Sequence, residues 1–592
     1  MEQQQQQQQQ SSSHQPNSNL SLLPIQTSSF QSPKIIKPII RTHSQRNHSD
    51  ELHPQKSLKL YSKSSRQTKH SVNSKENAYG RSKAFTRILK AQSKPSNLHY
   101  FLGLSKHFEN ILLFSHLKNL SSVPSLFVSL SSRQEASLES LKVLQKNLPN
   151  LKNIATLEIR LQFLRLQDPQ TLQRFLKSIR KMRSLTSLSF TIFNCKEISQ
   201  VHFDSFFRHL SKLTHLQALK LTFDNSVNPK NNNILRNLIS ILPKLTLLTQ
   251  ISISFDELRA IFVFKISDLL KSLGHLKTLS DLTLSLKSLE IIPPLPSIFT
   301  HLTALPSLQK LRLHLHRNID DQSLEALSQT LMSLPSLSLL SLNLIQCTDI
   351  TDKGIDNLQL ALSSLLTLSS LTMHLLFLLK TPLIISKVAS ALKPLHNLIK
   401  LDLMFKIDFP DLSIPGPSSN ETQTLFTNLR FLKSLQYLEL NLPTRNELED
   451  DAFGILAESL KELVSLKNIL LNPGFAKGLT NKGVEALSDA LKSLINLSGL
   501  TVFFRSNKNI DEKTLNFLGS AILDHPALSS IKVTFKECSQ VKSLKSFGTL
   551  FQAIKQMKDT SDVLLHIPDS ENKGPEGEYL KGRNILKVSW LA

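Results

Sequence analysis

The sequence predicts an α/β solenoid: short parallel strands stacked along the inner side of a curve, each returned by a helix on the outer side. Three observations predict it. An alternating block, apolar-x-apolar-x-apolar, recurs fifteen times, beginning at Leu126, Leu157, Leu188, Leu219, Ile251, Leu282, Leu311, Leu340, Leu371, Leu401, Leu438, Ile469, Leu500, Ile531 and Val563. Neighbouring blocks stand 29–32 residues apart, with one step of 37. After the block the period lengthens to three and four residues. The only three cysteines of the chain all fall at one position of this repeat. A fixed period of this size is the mark of a repeat architecture.

Each element follows from its period. Alternation with period two places every second side chain on one face, so the block reads as a strand with one buried side. Three residues earlier comes another apolar side chain, as at Ile154, Leu185, Leu216, Leu248, Leu308, Leu337, Leu435 and Leu497. Behind one strand, Ile355, Leu358, Leu362, Leu365 and Leu368 follow at helical spacing and predict an amphipathic helix. Because each strand is re-entered through a helical crossover, all strands run parallel. Strands sit about 4.8 Å apart and packed helices about 8–10 Å, so the stack is expected to curve, strands inside. Repeats built of helix pairs give no reason for the alternation.

The cysteines set the register. Cys195, Cys347 and Cys538 each lie seven residues after the first strand position, within FTIFNCKEI, LNLIQCTDITDKGI and VTFKECSQV. This pattern, LxLxxCxxI running on into ITDKGI, resembles the cysteine-type leucine-rich repeat, and the long helical unit resembles the ribonuclease-inhibitor-like class. The resemblance covers roughly residues 121–567. It implies a horseshoe of about fifteen repeats, with a concave parallel sheet and convex helices. It also implies a ladder position whose small polar side chain hydrogen-bonds the backbone of the turn. Asn318 and Asn507 occupy that position in two further repeats, whereas Leu164, Leu258, Leu289, Arg445 and Ala476 depart from it. Five and six repeats apart, the cysteines are too distant for a shared metal or disulfide and read as buried structural thiols, which suits a reducing compartment.

The ends differ from the middle. Of the formal charge of +24, residues 1–100 carry +11, from fifteen Lys/Arg and four Asp/Glu. Residues 1–80 begin with the glutamine run Gln3–Gln10, are rich in Ser and His, and read as a disordered basic arm. Such an arm offers weak, non-specific contact with nucleic acid or an anionic surface through residues 1–100. Residues 81–120 are expected to form a helical cap, including the stretch from Phe101 to Phe114, and residues 568–592 a C-terminal cap or tail. The prolines and Gly416 around 408–423 predict an insertion loop, and IIPPLP (291–296) is incompatible with an ordinary helix. MEQQQQQQQQ has no apolar core, and the most apolar run, at 371–386, is broken by Lys380 and Pro382, so neither a leader nor a membrane span is expected. The expected location is intracellular, in the cytoplasm or the nucleus.

No phosphate loop, dinucleotide fingerprint, HExxH, CxxC or nucleophile elbow is present. No enzyme, cofactor or metal is therefore expected. What remains is the inward face of the sheet. Its richest part holds Arg312, His314, His316, Asn343, His374, Asp402, Met404 and Lys406, with Phe503 and Arg505 further on. Arginine and aromatic side chains dominate protein interfaces, so these are the candidate partner-binding residues. The expected function is a protein–protein interaction scaffold with another protein as partner. The resemblance also admits a ubiquitin-ligase substrate adaptor, for which residues 98–140 lack the leading Leu-Pro, or a small-GTPase regulator, for which the acidic tail is missing.

Overall fold

A computed structural model describes residues 99–104, 562–568 and 586–591, and 124–557 apart from short segments that mostly follow the strands. The expected arm at 1–80 lies outside the described residues, as do Asn318, most of the insertion loop and most of both ends.

The described residues form one sheet of seventeen strands. In chain order these are β1 His99–Leu104, β2 Ser125–Ser131, β3 Thr156–Gln162, β4 Ser187–Phe193, β5 Ala218–Asp224, β6 Gln250–Asp256, β7 Asp281–Leu286, β8 Lys310–His316, β9 Leu339–Ile345, β10 Ser370–Leu376, β11 Lys400–Lys406, β12 Tyr437–Asn441, β13 Asn468–Asn472, β14 Gly499–Arg505, β15 Ser530–Lys536, β16 Asp562–Pro568 and β17 Leu586–Leu591. Each strand pairs in parallel with the next. All fifteen predicted first positions stand opposite one another in a single row, from Leu126 to Val563. Those from Leu126 to Ile531 are buried in one continuous core with the apolar faces of the helices.

Two predicted ends are corrected. Residues 99–104, expected within a helical cap, are a strand, with Tyr100 opposite Leu126. Residues 586–591, expected in a cap or tail, are also a strand, with Leu586 opposite Val563. Both join the row across only 26 and 23 residues, shorter than any internal step, so the repeat period passes over them. The helix predicted from Ile355 to Leu368 runs from Asp352 to Ser364. Leu365 and Leu368 sit in the return turn, where N–H groups donate to the carbonyl three residues back at 3.1 and 3.0 Å, so a near-helical spacing continues past the helix end. The insertion also ends earlier than predicted, because residues 419–423 begin the helix Ser419–Leu429. Ser418-x-x-Glu421 is a capping pair there: the Ser418 N–H donates to Glu421 Oε1 at 3.4 Å. From the last proline of IIPPLP only Pro296–Phe299 is α-helical, followed by a 3₁₀ stretch.

Three hydrogen-bond ladders tie the repeats together. The carbonyl just before a strand accepts two N–H groups from the next repeat, as Ala155 does from Thr186 and Ser187, both at 2.9 Å. Four residues before the first strand position, a Ser, Thr or Asn donates to the preceding turn: Ser184 to Ile154 O at 3.0 Å, Thr367 to Leu337 O at 2.9 Å, Asn496 to Val464 O at 3.0 Å. At the helix starts, Asp321 Oδ1 accepts from the N–H of Thr351 (2.7 Å) and of Gly354 (3.1 Å), while Oδ2 accepts from the Thr351 hydroxyl (2.5 Å). Asp450 repeats this arrangement with Thr480 and Gly483.

Candidate functional site

The three cysteines are buried. They occupy the turns after β4, β9 and β15. Cys347 Sγ lies 3.9 Å from Arg317 O and 3.7 Å from Ile345 O, and Cys538 Sγ 3.7 Å from Phe504 O. Burial pushes the Cys347 thiol up to about 12. Asn507 plays the same part with stronger bonds, donating to Ala476 O at 2.7 Å and Leu479 O at 2.9 Å, and accepting from the N–H of Asn509 at 2.8 Å. Residues directly before ladder positions adopt left-handed backbone: Asn194, Arg317, Gln346 and Ser506, with φ between 49° and 56°. They are the non-glycine residues with positive φ among those described. The ladder side chain thus compensates a turn that is itself strained.

The candidate partner-binding residues lie on the sheet face opposite the core, half-buried. Register brings the central ones together. His314, Asn343, His374 and Met404 stand in one row on β8, β9, β10 and β11, with Asn441 next on β12. Arg312 and Asp402 fall in the row beside it, through Ser341 and Thr372, with Glu439 following Asp402. His316 and Lys406 share the third row. Phe503 and Arg505 on β14 stand apart, three strands beyond β11, or about 14 Å. There the Arg505 guanidinium lies over the Phe503 ring at 5.5 Å.

The side chains of the central rows are coupled. Arg312 is not a free recognition group: its Nη1 donates to Asp281 Oδ1 at 2.6 Å, an ion pair that is only partly exposed. His374 Nε2 meets Asp402 Oδ1 at 3.2 Å. Asn441 Nδ2 donates to Glu439 Oε1 at 3.0 Å, and Asn472 Nδ2 to Asn441 Oδ1 at 3.1 Å. Burial, and then the neighbouring Asp402 charge, hold the Glu439 carboxyl above its ordinary range. Asn343 Oδ1 is shielded from solvent and accepts no hydrogen bond among the described residues.

Asp281 is a site residue that the sequence reading missed, whereas spacing already places Glu439 on the inward face, outside the selected contact residues. Asp281 immediately precedes the first strand position, so period two already places it on the same face as Arg312 in the next repeat. Among the described residues no group of three or more His, Cys, Asp or Glu side chains is placed to hold a metal ion. No described helix is long and apolar enough to cross a membrane.

No protein-family model matches this sequence, and no curated protein matches it. A solved structure similar to it is that of the leucine-rich repeat-containing protein LegL7 from Legionella pneumophila. That chain is 15% identical, and the match covers 67% of this chain and 98% of that one with a TM-score of 0.29. The fold class rests on the chain's own geometry. With parallel strands in one leucine-lined row, each returned by a helix, and a Cys/Asn ladder in the turns, the fold is a leucine-rich repeat solenoid.

Proposed function

We propose that this protein is a non-enzymatic scaffold that holds a protein partner on the helix-free face of its sheet. The contact is centred on His314, Asn343, His374 and Met404, beside the Asp402 and Glu439 carboxylates. Its repeats are read as ribonuclease-inhibitor-like units of the cysteine type. The observation that carries the reading is the row itself, in which imidazole, amide and thioether side chains of four successive strands stand in register on the face opposite the core. The imidazole, amide and thioether groups of adjacent strands lie about 4.8 Å apart, a spacing suited to a polypeptide laid across the strands.

The test begins with capture of partners by the full chain and mass spectrometry. Cullin-ligase subunits would identify an adaptor, and a small GTPase a regulator of one. Affinity of that partner is then measured for the variant carrying Asn343→Ala and His374→Ala. The expected result is binding weakened about tenfold or more, the equivalent of ~1.4 kcal/mol, with an unchanged melting temperature. Unchanged affinity ends the reading.

A further inference from the structure

The edge of the solenoid where helices return to the next strand is electrostatically divided. In the five returns between an α-helix end and the next strand, spanning 148–155, 180–186, 211–217, 242–249 and 274–280, there are seven Lys/Arg and no Asp/Glu. The helices that precede them pack side by side in sequence order, so these returns form adjacent steps of one edge. Lys177, Arg180, Lys181, Arg183, Arg208 and Lys212 are exposed, and none of them forms an ion pair among the described residues. Their fields overlap. His209 is held below the usual imidazole range first by burial, then by Arg180, Arg208 and Lys177.

The same edge in later repeats is built otherwise. There Lys433 meets Glu462, Lys461 meets Glu458 at 2.7 Å and Lys492 meets Asp489 at 2.9 Å. Three later repeats thus compensate their cations on this edge, whereas Lys177, Arg180, Lys181, Arg183, Arg208 and Lys212 form no ion pair among the described residues. Bare cations concentrated on one edge raise the local potential and cost self-repulsion.

We infer that this edge is a binding surface for the sugar–phosphate backbone of a nucleic-acid duplex. The returns follow one another from helix to helix along one edge, an order that matches a linear polyanion better than a membrane surface. No aromatic side chain stands exposed within the five returns, so the stacking platforms that single strands require are missing. Lysine and arginine without base-reading partners give contacts that are strong at low salt and indifferent to sequence. The surface is separate from the sheet face proposed for the protein partner, so each can fail without the other.

The experiment uses the full chain and two variants of equal net charge. One carries Arg180→Glu, Lys181→Glu and Arg183→Glu. The other carries Lys477→Glu, Lys508→Glu and Lys513→Glu, exposed cations of the later repeats. Binding to duplexes of about 30 base pairs, DNA and RNA in separate arms, is measured between about 50 and 200 mM salt. The parent chain should lose roughly a hundredfold in affinity over that range. The first variant should bind at least about tenfold more weakly at low salt with a shallower salt slope, and the second within about twofold of the parent. Equal losses in both variants would show that net charge alone attracts the duplex, and no loss in either would show that the edge is idle. Both overturn the inference. So does a first variant that loses phosphatidylserine vesicles or polyglutamate but not the duplex.

Discussion

At the scale of single residues, two glycines show how local context reverses the meaning of one substitution. A Cβ on Gly354 would stand 2.4 Å from Asp321 Oδ1, in the carboxylate that gathers the start of the neighbouring helix. Gly354→Ala must displace that carboxylate from its three donors, so a loss of about 2 kcal/mol is expected. Gly454, inside the helix Asp450–Lys461, has nothing within 4 Å of the corresponding point. Gly454→Ala should therefore raise stability by about 0.5–1 kcal/mol through helix propensity alone. Chemical denaturation of the two variants checks the pair, and a stable Gly354→Ala would mean that the carboxylate does not hold the helix start. The thiols belong to this scale too. Cys347, with its pKa pushed up to about 12, is almost wholly protonated at neutral pH and acts by packing and weak hydrogen bonding rather than reactivity.

At the scale of elements, neighbouring strands bring charges together that are some thirty residues apart in the chain. Glu439 on β12 faces Asp402 on β11, and its carboxyl is raised by burial and by that charge. A carboxyl whose folded pKa exceeds its unfolded value favours folding while protonated. That contribution is present below the unfolded value of about 4.3 and is lost as pH rises through the folded one. At pH 7 the charged Glu439 therefore weighs against the fold. Glu439→Gln keeps an acceptor for Asn441 and should be more stable than the parent at pH 7, with the difference closing towards pH 4. Denaturation midpoints at the two pH values test this, and a less stable variant at pH 7 would show that the carboxylate is held by a compensating contact.

At the scale of the whole molecule, the core is a line of units that touch only their neighbours. Leu342 lies at its middle, fully buried on β9 between Leu313 and Met373. Leu342→Ala should cost on the order of 2–5 kcal/mol. In a nearest-neighbour array the damage should open the central repeats before either flank. Hydrogen exchange should show faster exchange around β8–β10 while β3 and β14 keep their protection. Uniform acceleration along the chain would mean that the stack unfolds as one cooperative body instead.

How much of this was legible beforehand depends on where the information sits. The strand phase from Leu126 to Val563, the buried side of each strand and the cysteine position were all readable from residue spacing. Burial alternates with backbone periodicity and repeats at each turn of the stack, so these properties are local and written some fifteen times over. The end strands were not readable, because their linkers break the period that reveals the others. The pairing of Arg312 with Asp281, the helix-start carboxylates of Asp321 and Asp450, and the isolation of the Asn343 acceptor were decided by tertiary structure. Each needs side chains about thirty residues apart to meet at one height of the sheet and choose a mutual geometry. Repeat spacing identifies which positions face each other, but only packing determines which polar groups satisfy one another and which do not.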